Sequence, residues 1–190
     1  MQADSSVELG REDPALEIPW KSDDGSHRYY DLKHNPELVL QIPEATNNAE
    51  LSAFLSRMNA AGFPMQSAKC DAWFTDEISA EEEIFGEPGK FVSYVDLVFA
   101  DDQRRLLLED HEELARGLCA LLQRAPEMAA SVELVIRRCY FHPEGKPDDS
   151  IDGFCITAYV SGFGEDEGEA RKRWAIALAL LQNALVQKVR

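Results

Sequence analysis

Residues 91–100 read Phe-Val-Ser-Tyr-Val-Asp-Leu-Val-Phe-Ala. Phe91, Ser93, Val95, Leu97 and Phe99 fall on one side of an extended chain, and Val92, Tyr94, Asp96 and Val98 on the other. Period-two alternation of this kind predicts a β-strand with a core face and a more mixed face. Upstream, 67–75 alternates in the same way, with Ala68, Cys70, Ala72 and Phe74 against Lys69, Asp71 and Trp73. The polar stretch between them holds Glu81, Glu82, Glu83, Gly86, Pro88 and Gly89, so it predicts the loop of a hairpin. Downstream, Asp101-Asp102 makes a turn that lets 103–108 return as a short third strand. Asp110 then caps a helix with Glu113 in capping-box position, Leu114, Leu118, Leu121 and Leu122 form its stripe, and Pro126 follows it.

The pattern repeats in the second half. Residues 132–141 predict a strand, 143–152 a loop, and 154–161 a strand with Phe154, Ile156, Ala158 and Val160 inward. Asp166 caps a last helix with Glu169 in box position and Trp174, Ala177, Leu178, Leu181 and Leu185 along one side. Arg138-Cys139 echoes Lys69-Cys70, and Leu121 to Ala125 echoes Leu180 to Ala184, so a hairpin–helix unit used twice is expected. An earlier helix is signed by Asn47 as cap, Glu50 in box position, Leu51, Phe54, Leu55 and Met58 on one face, and Gly62 and Pro64 at its end.

Residues 1–45 carry Pro14, Pro19, Pro36 and Pro43, which exclude long regular elements. They also carry Leu16, Ile18, Trp20, Tyr29, Tyr30, Leu32 and Val39, which need cover. An extended N-terminal arm lying along the body is expected, loose only over about its first ten residues. Residues 46–190 then form a single α+β domain. Its predicted order is α-β-β-(β)-α-β-β-α, one antiparallel sheet with helices packed on one face. Over roughly 46–190 this order resembles that of type III secretion chaperones and related small bacterial proteins. That resemblance implies non-covalent binding of other proteins, and dimerisation.

Composition narrows the function. Thirty-five acids against nineteen bases leave a net charge of −16, which repels phosphate backbones and disfavours nucleic acid as a partner. No apolar run approaches the roughly 18 residues of a membrane span. The start, Met-Gln-Ala-Asp-Ser-Ser, lacks the basic and apolar segments of a signal peptide, so a cytoplasmic location is expected. Cys70, Cys119, Cys139 and Cys155 contain no CxxC pair and read as reduced core residues. Strict alternation along 132–141 would point Arg138 inward. A bulge near Arg137-Arg138 would instead put Cys139 in the core phase, where it could approach Cys70.

Several motifs come close to chemistry and miss. Gly162-Phe-Gly164 before the last helix departs from GxGxxG spacing, and Glu165, Asp166 and Glu167 stand where a pyrophosphate would sit. Asp148 to Gly153 matches the first half of a calcium-binding loop, but the twelfth position is Tyr159. His111-Glu112 has Ala115 where HExxH needs its second His, and Cys139 and His142 point to opposite faces of a straight strand. No cofactor, metal or catalytic residue is therefore expected.

The second sheet face carries Lys69, Asp71, Trp73, Val92, Tyr94, Asp96, Val98, Thr157 and Tyr159. Aromatics ringed by charges of both signs resemble the anchors and rim of a protein interface. Three covers are open for it: the arm through Leu16, Ile18 and Trp20, a second subunit, or an external partner. Residues 175–181 are apolar nearly all round, which places that helix centrally or gives it an outer partner at Ile176. The residues expected to bind partners are Trp73, Tyr94, Tyr159 and Ile176. The sequence thus reads as a non-enzymatic, chaperone- or adaptor-like homodimer that binds a protein client. The alternative is a small enzyme with a site between arm and sheet, using Cys139, His142, Asp96 and Tyr94.

Overall fold

The computed structural model describes residues 1–143 and 149–189. The loop read at 143–152 and the Asp148 to Gly153 match fall partly outside the described residues. The architecture is mixed α+β, with one open sheet of six strands. These are β1 (Gln2–Glu8), β2 (Leu16–Ile18), β3 (Met65–Thr75), β4 (Gly89–Phe99), β5 (Ala130–Phe141) and β6 (Ile151–Gly164). Their order is β1-β5-β6-β4-β3, with β2 beside the far end of β5. The helices are α1 (Pro43–Asn47), α2 (Ala49–Met58), α3 (Leu108–Leu122) and α4 (Glu167–Lys188).

Three expectations about the strands are corrected. The sheet is not wholly antiparallel, because β1 and β2 both run parallel to β5. The first residues are a paired strand and not a loose end. Ala3 is buried there, but Val7 is exposed, so β1 is held mainly through its backbone, which leaves no side-chain alternation to read. The proposed third strand at 103–108 is a 3-10 turn, Arg104–Leu106. The Asp101 carboxylate accepts the backbone N–H groups of Gln103 (3.0 Å) and Arg104 (2.9 Å), which closes the chain instead of extending it.

The two hairpins meet through β4 and β6, with β3 and β5 flanking that central pair, and each hairpin is followed by its helix. Leu122 and Leu181, matched in the repeat, are both buried. The correspondence of Lys69-Cys70 with Arg138-Cys139 fails, because the bulge lies in the other strand. β5 keeps unbroken register with β6 from Ala130 to Phe141, whereas β3 slips against β4 between Ser67 and Cys70. The slip turns Ala68 onto the second face and returns Cys70 to the helix side. Cys139 therefore faces away from the helices. Cys70 and Cys139 lie on opposite faces, in strands separated by β4 and β6. All four cysteines are free, and Cys139 has Cys155 as its buried neighbour.

The main core lies between the sheet and the helices. It gathers Phe91, Val95, Leu97 and Phe99 from β4, Leu51 and Phe54 from α2, Leu118 from α3, and Trp174 and Leu181 from α4. Trp174 is fully buried, with its ring 4.7 Å edge-on from Phe91 and Nε1 donating to Ser93 Oγ at 2.8 Å. The apolar surround of α4 is explained by its place between α2 and α3. Asp166 caps it as predicted, accepting from Glu169 N–H at 2.8 Å. The cap expected of Asn47 is not formed. Asn48 stands at the start of α2 and sends its side-chain amide back to Glu44 O at 2.8 Å. Asp110 is likewise not a cap, lying in the first turn of α3 and accepting from Arg104 Nε at 2.7 Å. Phe74, predicted inward, lies half-exposed because β3 is the sheet's edge. A second, smaller core covers one end of the other sheet face. There Leu16 and Ile18 of β2 pack with Ala68, Val98, Cys139, Phe141 and Cys155.

Candidate functional site on the second sheet face

The alternation of β4 and β6 brings two predicted residues side by side, since Tyr94 and Tyr159 are register partners. Their rings are 5.9 Å apart and tilted by 51°. Trp73 of β3 meets Tyr94 edge-on at 6.4 Å and 69°. Arg137 of β5 lies 5.6 Å above the Tyr159 ring, donates to its hydroxyl at 3.0 Å and pairs with Glu8 of β1 at 2.9 Å. One row of side chains thus crosses the sheet in the order Trp73, Tyr94, Tyr159, Arg137, Glu8, one from each strand of the main path. Such aromatic pairs contribute about 0.5–1.5 kcal/mol each beyond burial and hold their rings in fixed orientation.

A buried polar pair supports the row. Asp96 accepts the Thr157 hydroxyl at 2.5 Å, and Arg137 donates to the same Thr157 oxygen at 3.3 Å. Burial pushes the Asp96 carboxyl above its ordinary range, opposed by the Thr157 hydrogen bond and the charges of Lys69 and Arg137. Burial, with Asp96 and Asp71 nearby, also raises the Tyr94 hydroxyl, so Tyr94 stays neutral.

The row is open at its Trp73 end, where the indole is 39% exposed. The first part of β3 is covered by the arm. Trp20 Nε1 donates to Ala68 O at 2.8 Å, and Lys69 sits 5.2 Å over the Trp20 ring. Between arm and sheet lies a cavity of about 900 Å³, bounded among others by Trp20, Lys21, Arg28, Lys69, Asp71 and Tyr94. Of the four residues named for an enzyme, Tyr94 borders this cavity and Asp96, Cys139 and His142 do not. Cys139 is buried in the second core, and His142 Nε2 lies 3.7 Å from Glu17. Cys70 borders the cavity, but burial pushes its thiol up to about 12.

Ile176 is 53% exposed, as its place off the helical core stripe predicts. It is on α4, in the layer that covers the opposite sheet face, so the structure does not bring it together with Trp73, Tyr94 and Tyr159. Arg137 and Glu8 were missed by the sequence reading. The misplaced bulge left the facing of Arg137 undecided, and Glu8 lies where the composition suggests a loose end.

Among the described residues, no helix is long and apolar enough to cross a membrane. No protein-family model, curated protein or solved structure matches the chain.

Proposed function

We propose that the protein is a non-enzymatic, protein-binding homodimer, chaperone- or adaptor-like, whose contact surface is the aromatic row of the second sheet face. The observation that carries this reading is the half-exposed Trp73, braced by Tyr94, which in turn packs on Tyr159, and placed at the sheet edge. Rigid aromatics beside a charged rim are the usual anchors of protein contacts. With a net charge of −16, association needs a locally balanced region. Around the row, Lys69 and Arg137 offset part of the negative charge of Asp71, Glu133 and Glu8. The order of helices and hairpins from α2 to α4, resembling that of type III secretion chaperones, favours the same reading.

The cavity between arm and sheet favours a second reading, a small-molecule or catalytic site, because its volume is in the range of ligand pockets. Its bordering thiol and phenol, however, are both held protonated, which suits neither nucleophile nor base.

Size-exclusion chromatography of Trp73→Glu and Ile176→Glu separates the possible interfaces. The face reading expects Trp73→Glu to be a folded monomer and Ile176→Glu to keep the parent's dimer. The reverse outcome would move the interface to α4.

A further inference from the structure

The hydrogen-bonding sense of the sheet can be followed to its edge. Phe163 N–H donates to Ala129 O at 2.9 Å, so odd-numbered residues of β6 bond to β5 and even-numbered ones to β4. With the register Val95↔Ala158, odd residues of β4 bond to β6 and even ones to β3. With Asp71↔Tyr94 and Trp73↔Val92, the backbones of Asp71, Trp73 and Thr75 turn inward. The N–H and C=O groups of Cys70, Ala72 and Phe74 therefore turn away from the sheet. Consistent with this, Ala72 N–H is taken by the neighbouring Asp71 carboxylate at 2.7 Å.

Before the bulge the same edge is covered. Lys33 donates to Met65 O at 2.8 Å, Asn59 Oδ1 accepts from Ser67 N–H at 3.1 Å, and Trp20 donates to Ala68 O at 2.8 Å. Beyond it, among the described residues, no hydrogen bond from the arm or the helices reaches Cys70, Ala72 or Phe74. An open edge flanked by exposed Trp73 and Phe74 is a template for another strand.

We propose that the occupant is a second copy of this chain, its β3 pairing antiparallel with this one across a two-fold axis at Trp73. The inference rests on the homodimer reading above and specifies its contact. Backbone alternation permits only registers that set outward residues against outward residues. Centring on Trp73 stacks it on the partner's Trp73, places Asp71 beside the partner's Thr75, and sets small Ala72 against the partner's large Phe74. Lys69 then lies towards the partner's Glu77. A centre at Ala72 would press Asp71 against the partner's Trp73. A centre at Phe74 would set Asp71 against the partner's Glu77, two like charges. The favoured register exchanges backbone hydrogen bonds through Ala72 and Phe74 and their counterparts, with Ala72 N–H leaving the Asp71 carboxylate for the partner's Phe74 C=O. It joins the two sheets into one, with the aromatic row continuing across the axis. The contact is isologous, as a two-fold dimer requires.

Two variants of the full chain test this. Trp73→Cys puts two thiols at a non-hydrogen-bonded pair on the axis, where Cβ atoms lie about 4.5–5.5 Å apart, close to disulfide reach. Mild oxidation with oxidised glutathione should yield a covalent dimer, while the parent and Thr75→Cys stay uncrosslinked. Ala72→Pro removes an outward donor without touching the β4 ladder, a position where an edge strand accepts proline. It should weaken the dimer at least tenfold and leave the circular-dichroism spectrum unchanged. A dimeric parent with uncrosslinked Trp73→Cys and unweakened Ala72→Pro would overturn the edge contact and leave the homodimer standing. Crosslinking through Thr75→Cys would overturn the register. A parent monomeric at about 100 μM would overturn both.

Discussion

Gly162 of β6 lies directly beneath α4. A Cβ built there would collide with Trp174 N and Ala170 O and stand 2.7 Å from Trp174 Cα. Every one of these atoms is backbone, so no side chain can swing aside. Ordinary contact begins near 3.4 Å, so even the third contact requires α4 to retreat by about 0.7 Å, and the first two require more. Trp174 cannot follow freely, because its indole is fully buried and tied to Ser93 Oγ. Overpacking a tight core costs about 1–3 kcal/mol and occasionally more. Replacing glycine also returns about 0.4–1 kcal/mol by narrowing the unfolded ensemble. A contact against rigid backbone belongs at the upper end, so Gly162→Ala should lose about 2 kcal/mol or more. For a chain of this size that is a fall of about 4–8 °C in melting temperature. Urea unfolding followed by tryptophan fluorescence provides the assay. A midpoint equal to the parent's would refute the close approach of α4 to β6.

Two further outcomes are expected. His111 is buried, its Nδ1–H given to Leu107 O at 2.8 Å and its ring edge-on to Phe99, and burial holds its pKa below the ordinary 6.5. The unfolded chain therefore binds the proton first. Stability from this site is whole above about pH 6.5 and is lost as pH falls through 6.5 towards the folded pKa. Between pH 7 and pH 5 the parent should lose melting temperature relative to His111→Phe; equal slopes would contradict the assignment. Leu32, in the N-terminal stretch, is 3% exposed within the main core, so Leu32→Ala should cost about 2–5 kcal/mol in denaturant unfolding. A loss under 0.5 kcal/mol would show that the stretch contributes little to the fold.

How much could be read from the sequence depends on what holds each element. The strands rich in Val, Ile and Phe, and the stripes of α2, α3 and α4, rest on side-chain burial, and burial leaves a period in the sequence. β1 is held largely by backbone pairing with β5, which leaves none, and β2 buries Leu16 and Ile18 over only three residues, too short a run to show a period, so the parallel half of the sheet was not legible. The bulge was legible in kind and wrong in place. Cys139 and Cys70 look equivalent in the sequence, but Ala68 is the residue turned over, where the arm closes on it through Trp20. Of the row, Trp73, Tyr94 and Tyr159 could be found because alternation marks the second face. Arg137 and Glu8 join it only once β1 is known to flank β5.

Sedimentation equilibrium of the full chain across roughly 1–100 μM at physiological salt decides whether the protein self-associates. The mass should rise to twice 21.3 kDa, about 42.6 kDa, with a single two-state fit and no larger species. A mass that stays at 21.3 kDa throughout would contradict self-association.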